Sequence, residues 1–205
     1  FSMSTPMVIS FLVQSLYNIV DSIFVARYSP DALAAVSLAY PIQILMIAVS
    51  VGTGVGVNAL LSRLLGEGKK DRAKVTADNA VLLAIIASIA FAVFGAIGTK
   101  AFFNAQTNSD SIRSLGYSYL SIVSIFSFGL ILEVTYERIL QSTGKTIYNM
   151  ITQGIGAIIN IILDPILIFG LLGAPKMGVA GAAIATVAGQ IVAMILSFVF
   201  NMKYN

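Results

Sequence analysis

Apolar stretches separated by short polar segments divide the chain into regular units. The hydrocarbon core of a bilayer is about 30 Å thick, so a helix needs about 20 apolar residues to cross it. Six stretches meet this length, and their approximate bounds are 6–26, 36–60, 77–98, 115–136, 147–171 and 179–201. Strand patterns that alternate over about 10 residues, as a membrane barrel requires, are absent. The pattern therefore predicts an all-α, polytopic membrane protein whose six transmembrane helices form one domain over residues 1–205.

Most charged residues lie between these stretches, in connections that are short except for 62–76. The connection at 62–76, the connection after the fourth stretch and the C-terminal end all lie on one side of the membrane. Together they contain eight basic residues, which are Arg63, Lys69, Lys70, Arg72, Lys74, Arg138, Lys145 and Lys203. The other side receives four, which are Arg27, Lys100, Arg113 and Lys176. Because basic residues concentrate on the cytoplasmic side, we expect both ends of this multi-pass cell-membrane protein in the cytoplasm.

Composition excludes several classes of function. Apolar residues make up 58% of the chain and charged residues 10%, against about 45–50% and about 25% in soluble domains. Cys and His are both absent, which removes disulfides, thiol nucleophiles, imidazole bases and the usual zinc ligands. Basic cytoplasmic loops explain the net charge of +3 without nucleic-acid binding. We therefore expect no catalytic residues, no bound metal centre, no organic cofactor and no nucleic-acid partner.

Glycine-rich segments resemble nucleotide-binding loops only in part. Segment 52–56 lacks the GxGxxG spacing and lies within an apolar stretch, while 66–69 and 144–146 lack the first glycine of a phosphate loop. Small residues four apart, in 52–56 and again in 181–185, let transmembrane helices approach closely. The sequence therefore predicts helix packing at these glycines.

Glu133 and Glu137 stand four residues apart near the end of the fourth predicted helix, with Arg138 beside them. Side chains this close to a helix end can extend to the water at the membrane surface. The sequence therefore predicts a charge cluster at the membrane interface.

Two other carboxylates, Asp21 and Asp164, lie deep within predicted helices. Each ends a polar stripe on one helical face, and the stripes are Gln14, Tyr17, Asn18 and Asp21 in the first helix and Asn149, Gln153, Gly156, Asn160 and Asp164 in the fifth. A charged group at membrane depth costs at least about 2.5 kcal/mol. We therefore expect both stripes to face the bundle interior, where the acids hold a partner, a proton or an ion.

The two acids are expected at a common depth. The first and fifth helices run from the cytoplasm outward and the sixth runs back, so Asp21, Asp164 and Thr186 all lie roughly 8 to 11 Å below the outer boundary. Asn160 is one turn deeper than Asp164, and Gln190 follows Thr186 at one turn. These side chains can therefore line one site.

Pro165 adds a further oxygen to this site. A proline within a helix removes the hydrogen bond to the carbonyl four residues back, here that of Ile161, and kinks the helix. Two carboxylates, an amide, a hydroxyl and a free carbonyl suit either a hard cation or a shared proton. The alternative from the residues alone is a structural hydrogen-bond network that holds three helices together.

Several stretches together resemble the multidrug and toxic compound extrusion (MATE) transporters. They are LYNIVD at 16–21, FV at 24–25, LAAV at 33–36, LLGEGK at 64–69, QSTG at 141–144, NIILDP at 160–165 and GVAGAAIAT at 178–186. The resemblance runs along essentially the whole chain in order. It implies a secondary antiporter that exports bulky, often cationic amphipathic compounds, and hence drug resistance, against entry of protons or sodium ions.

The resemblance also assigns a site and a place in a larger protein. It implies that Asp21, Asn160 and Asp164 form the coupling-ion site of the N-terminal six-helix lobe, with Thr186 as a further ligand. MATE transporters have about twelve helices in two related lobes with the drug cavity between them. We therefore expect a second six-helix lobe as partner, and Phe1, which is not an initiator Met, indicates a fragment.

Three alternatives differ from an efflux antiporter. A lipid-linked oligosaccharide flippase of the same superfamily would need a cationic cavity, whereas these stripes are acidic or neutral. A membrane-embedded hydrolase or acyltransferase could use Asp21 and Asp164 as a dyad, but the chain lacks a nucleophile–base pair that includes His or Cys. A non-transporting membrane scaffold is the third alternative, because six helices need not form a whole machine.

Overall fold

The computed structural model describes residues 4–205, and within this range the regular structure is helical. The α-helices are α1 (Ser4–Tyr28), α2 (Pro30–Gly66), α3 (Lys70–Val93), α4 (Thr99–Gln106), α5 (Asp110–Ile125), α6 (Phe128–Ser142), α7 (Thr146–Phe169) and α8 (Val179–Tyr204). A π-helical turn, Phe94–Gly98, joins α3 to α4, and a short 3₁₀ turn, Leu171–Gly173, follows α7. The all-α fold class is confirmed.

These helices provide five candidate membrane spans in the described part of the chain, or six if one bent pair counts as a span. α1, α2, α7 and α8 are each long and apolar enough to cross a bilayer, and α3 with α4 forms a fifth such stretch, Lys70–Gln106. α5 and α6 together pass the same test, with a bend of 42° between them. The pattern of six apolar stretches is consistent with this count, although it did not reveal the break between α5 and α6.

The long loop predicted at 62–76 is wrong. α2 continues to Gly66 and α3 begins at Lys70, so only three residues separate the two helices. The charged residues here are good helix formers, and the pair Arg63–Glu67, four residues apart with an Nε–Oε1 distance of 2.8 Å, stabilises the last turn. Charge marks where a helix leaves the membrane, but it does not mark where the helix ends.

Local signals set several helix ends. Ser29 Oγ accepts a hydrogen bond from the Ala32 amide at 3.0 Å, with Pro30 in the first turn of α2. Gly170 adopts a left-handed conformation, with φ of 75°, directly after α7. Glycine tolerates this conformation at no steric cost, so α7 stops there and the chain turns toward α8.

The bundle exposes many large apolar side chains and buries many polar ones. The outward face of α1 exposes large apolar side chains, among them Leu12, Leu16 and Ile19. Buried positions include many polar residues, namely Ser50, Ser88, Thr99, Ser124, Asn149, Thr152, Asn160, Asp164 and Ser197. Apolar surface costs nothing against lipid tails, whereas polar groups need partners inside the bundle.

The closest helix packing is between α7 and α8, which share the most extensive interface. A Cβ atom added at Gly189 would lie 2.6 Å from the carbonyl oxygen of Gly156, and one added at Gly181 would lie 2.6 Å from the carbonyl carbon of Leu167. The predicted packing at 181–185 is therefore confirmed. The predicted packing at Gly52 and Gly56 is wrong within residues 4–205, because nothing there lies within 4 Å of a Cβ added at either position.

This contrast generates a matched stability test. We expect Gly189→Ala to lower the free energy of unfolding by about 1 to 3 kcal/mol, because the added methyl group meets backbone that cannot move aside easily. Gly52→Ala has open space and should change stability little. Thermal unfolding of both variants in detergent measures the difference, and equal effects would contradict the assigned α7–α8 crossing.

Candidate functional site

Asp21 of α1 and Asp164 of α7 lie together inside the bundle. Their carboxyl groups are close enough to share a hydrogen bond if one of them carries a proton. Asp164 is completely buried, and Asp21 is partly buried. The ion pairs found in the described part of the chain include neither residue. The geometry therefore agrees with the expectation from the sequence that Asp21 and Asp164 lie close together.

The buried oxygens of the pair lack a hydrogen-bond donor within the part of the chain that the structure describes. Both carboxylate oxygens of Asp164 and Oδ1 of Asp21 are buried without a partner among residues 4–205. Two negative charges in contact repel strongly in a low-dielectric interior. A proton or a cation held between the two groups removes this repulsion, and the arrangement is suited to bind one.

Asn160 and Thr186 add uncharged oxygens beside the pair. The Asn160 Nδ2 group donates to Thr186 Oγ1 at 3.3 Å, which links α7 to α8. Asn160 Oδ1 is buried and has no partner in the described range. Asn160 lies one helical turn before Asp164, so both side chains belong to the same face of α7.

Pro165 lies inside α7, next to Asp164. It has no amide hydrogen, so the carbonyl of Ile161 lacks its helical partner. α7 remains one continuous helix from Thr146 to Phe169 across this position. The kink at Pro165 stays a prediction.

The polar stripe of α1 faces the interior only in part. Gln14 and Tyr17 are partly buried, and Tyr17 interacts with Gln14, Asp21 and also Glu133. Asn18 is exposed, although it lines an internal cavity of the lobe. The stripe of α7 is more deeply buried than that of α1, because α7 packs against α1, α6 and α8.

Two adjoining cavities run along these stripes. The large cavity, of about 540 Å³, is lined by residues of α1, α2, α5, α6 and α8, including Asp21, Tyr40, Gln43, Met46 and Tyr119. The small cavity, of about 60 Å³, lies among α1, α6, α7 and α8. The two cavities share part of their lining, and the five residues that line both are Gln14, Tyr17, Leu130, Thr186 and Gln190.

The interfacial cluster predicted at Glu133 and Glu137 is wrong, because both side chains are buried. They are 8% and 3% exposed and line the small cavity. Glu137 accepts hydrogen bonds from Thr152 Oγ1 at 3.2 Å and from Gln153 Nε2 at 2.9 Å. α7 and α8 pack against α6, so these side chains face the small cavity inside the bundle and not the membrane surface. The polar stripe of α7 was the sequence signal that could have found their partners.

Gln43 and Tyr119 are further polar residues that the sequence pattern missed. Gln43 Nε2 donates to the Tyr119 hydroxyl group at 3.0 Å, which links α2 to α5 in the wall of the large cavity. Each residue is isolated in its own helix, so no periodic stripe reveals it.

Comparison with known proteins places this geometry in a family. The MatE family model matches residues 6–166. The chain is 32% identical to a FAD transporter of Shewanella oneidensis, covering 96% of this chain and 43% of that protein. It is 30% identical to NorM, a probable multidrug resistance protein of Thermotoga maritima, covering 92% and 41%.

Solved structures give the same result. A MOP superfamily transporter from Pyrococcus furiosus superposes with a TM-score of 0.90 at 28% identity, covering 98% of this chain and 43% of that one. The outward-facing conformation of a multidrug resistance MATE family transporter superposes with a TM-score of 0.91 at 28% identity, covering 98% and 44%. The chain thus spans less than half the length of these relatives, which are twelve-helix transporters.

The unpaired acids generate a stability prediction. We expect Asp164→Asn to raise the free energy of unfolding by about 1 to 3 kcal/mol at alkaline pH, because the new amide donates to Asp21 and removes the repulsion. Asp78→Asn, on the exposed face of α3, is the matched control and should change little. Thermal unfolding at alkaline pH measures both, and destabilisation by Asp164→Asn would contradict the unpaired state of the site.

Proposed function

This chain belongs to the MatE family, whose members are transporters rather than enzymes, and from that membership we propose that it acts in multidrug efflux. Residues 1–205 form one six-helix lobe of an antiporter that exports amphipathic, often cationic organic compounds in exchange for protons or sodium ions. The observation that carries the proposal is the contact between Asp21, which is partly buried, and Asp164, which is completely buried; neither has a basic partner in the described part of the chain. Such a pair is suited to bind the coupling ion.

Binding at this pair can change the position of α1. α1 packs mainly against α7 and has few contacts with α2 or α8. When the pair holds a cation, Asp21 is drawn toward Asp164; when the cation leaves, the two charges repel and α1 is pushed away. An ion can drive transport only if it binds one of two conformations more tightly, and this pair supplies that difference. Pro165, beside Asp164, is the proposed flexible point of α7.

The large cavity is the proposed contribution of this lobe to substrate binding. Its volume of about 540 Å³ lies within the range of about 300 to 1,000 Å³ typical of small-molecule sites. Tyr40, Met46 and Tyr119 offer aromatic and flexible apolar surface, and Asp21 offers a negative charge. Substrate and coupling ion therefore compete for the same carboxylate, which is how exchange is enforced.

The flippase alternative is less well supported. The pyrophosphate of a lipid-linked oligosaccharide needs positive charge, yet neither the large nor the small cavity is lined by Lys or Arg. The same argument applies to a dinucleotide such as FAD in this lobe. A scaffold role leaves the donor-free contact of Asp21 and Asp164 without a purpose, and a hydrolase or acyltransferase would lack a nucleophile–base pair that includes His or Cys.

The topology follows from the basic residues. We place both ends of the segment in the cytoplasm, because the α2–α3 and α6–α7 connections carry most of the basic residues. A second six-helix lobe and the lipid bilayer are the proposed partners, since this chain corresponds to less than half of its relatives. The large cavity then opens toward the second lobe.

Reconstitution tests this function. The complete transporter in liposomes should export a fluorescent organic cation when a pH gradient or a sodium gradient is applied. Asp21→Asn should reduce ion-driven export to the level of empty liposomes, whereas Asp78→Asn should leave it unchanged. Export that survives Asp21→Asn would remove the site assignment, and export under neither gradient would remove the antiport function.

A further inference from the structure

A second pair of buried carboxylates lies at a different level of the bundle and has no role in the exchange described above. Glu137 is held by Gln153, which precedes Asp164 on α7 by about 16 Å at 1.5 Å per residue. The two acid pairs therefore cannot form one site. The pair Glu133 and Glu137 lies toward the α6–α7 connection, on the proposed cytoplasmic side.

The two members of this pair differ in their surroundings. Glu137 accepts hydrogen bonds from Thr152 and Gln153. Glu133 is more than nine-tenths buried and lines the small cavity. The nearby Glu137 carboxylate opposes a negative charge on Glu133. Glu133 is therefore a buried acid that needs a proton or a cation.

The nearby basic residue does not neutralise the pair. Arg138 attracts Glu137, but its Nη1 group donates to Gln141 Oε1 at 2.7 Å instead of to a carboxylate. The other charged or titratable group that faces the pair is Tyr17 of α1. The polar residues that face it from α7 and α8 are uncharged, namely Thr152, Gln153, Asn160 and Gln190. No charged group of α2 or α3 is among those that act on the two acids.

The small cavity in front of Glu133 is lined by amide side chains as well as by acids. Gln153 and Asn160 both line it, and Gln153 Oε1 and Asn160 Oδ1 are buried without a hydrogen-bond partner in the described chain. A cavity of about 60 Å³ holds a few water molecules, at about 10 to 15 Å³ each on this measure, but no drug-sized molecule. Its occupant must therefore be small and must donate hydrogen bonds, as a hydrated proton does.

A polar route joins this cavity to the Asp21–Asp164 pair. Tyr17 lines both cavities, and the charges of Glu133 and Asp21 both act on its hydroxyl group. Its hydroxyl group can accept one proton while donating its own. Thr186 and Gln190 line both cavities as well and can hold water along the route.

We propose that Glu133 and Glu137 form a second proton-binding site, which exchanges protons between the cytoplasm and the Asp21–Asp164 pair through Tyr17. In one direction, protonated Glu133 gives its proton to a chain of cavity water that includes the Tyr17 hydroxyl group, and the far end of this chain gives one proton to the Asp21 carboxylate. Glu133 is left as a carboxylate, Asp21 is left protonated, and the charge of Tyr17 does not change. The reverse transfer releases the coupling proton to the cytoplasm. The inference rests on the proposed antiport function and assigns the proton as its coupling ion.

The test uses Glu133→Gln in the complete transporter. We expect proton-driven export to fall by about tenfold or more, in the range of an ordinary coupling between sites, while the Kd of the transported cation at fixed pH changes by less than about twofold. Infrared difference spectra between acidic and alkaline pH should lose one carboxylic-acid band in Glu133→Gln and retain it in Asp21→Asn. Tyr17→Phe should slow export but keep the band.

The matched control is Glu67→Gln. Glu67 is exposed beside the α2–α3 turn, in ion pairs with Arg63 and Lys69, and its loss should leave export and the infrared band unchanged. If Glu133→Gln weakens substrate binding as much as it slows export, the small cavity binds substrate and the proton site is wrong. An unchanged infrared band in Glu133→Gln overturns the inference in the same way.

The outcomes also separate this inference from the proposed function. Export driven by sodium alone would overturn the proton site and leave the antiport function intact. Loss of export in Asp21→Asn with full export in Glu133→Gln would also overturn the proton site and leave the antiport function intact. If neither gradient drives export, the antiport function fails, and the infrared band still decides whether Glu133 takes up a proton.

Discussion

The structure depends on the cost of burying negative charge without a counterion. Asp164 and Glu133 are both deeply buried, and the carboxylate oxygens of Asp164 have no hydrogen-bond donor in the described part of the chain. In water such acids would be hydrated, but in a low-dielectric bundle their charge must be neutralised by something that enters from outside. The proposed affinity of this lobe for positive species rests on that cost, and so does the proposed response of its helices to the bound ion.

α7 organises the interior because it carries a long, buried polar stripe and packs against α1, α6 and α8. Its stripe reaches from Asn149, beside the Glu137 carbonyl, to Asp164, beside Asp21. Close approach to α8 at Gly156 keeps the stripe away from lipid. α1 packs mainly against α7 and has few other contacts in the described part of the chain.

The two cavities differ in volume and in the chemistry of the residues that line them. The large cavity combines tyrosine, methionine and one carboxylate, which suits amphipathic cations, and the small cavity offers oxygen acceptors in a space sufficient for a few waters. Their shared wall, which includes Tyr17 and Thr186, lets the occupancy of one affect the other. The absence of Lys and Arg from both linings sets the sign of charge that each accepts.

Sequence alone determined the fold class, the apolar stretches long enough to span a membrane and the meeting of Asp21 with Asp164. Hydrophobic length and the 3.6-residue period are local properties, and a buried acid on a polar stripe must face inward whatever its neighbours are. Only the tertiary structure decided that Glu133 and Glu137 are buried and that Gly189, not Gly52, marks a close crossing. Those properties depend on which helix covers a given face, and that is set by long-range packing that no single helix encodes.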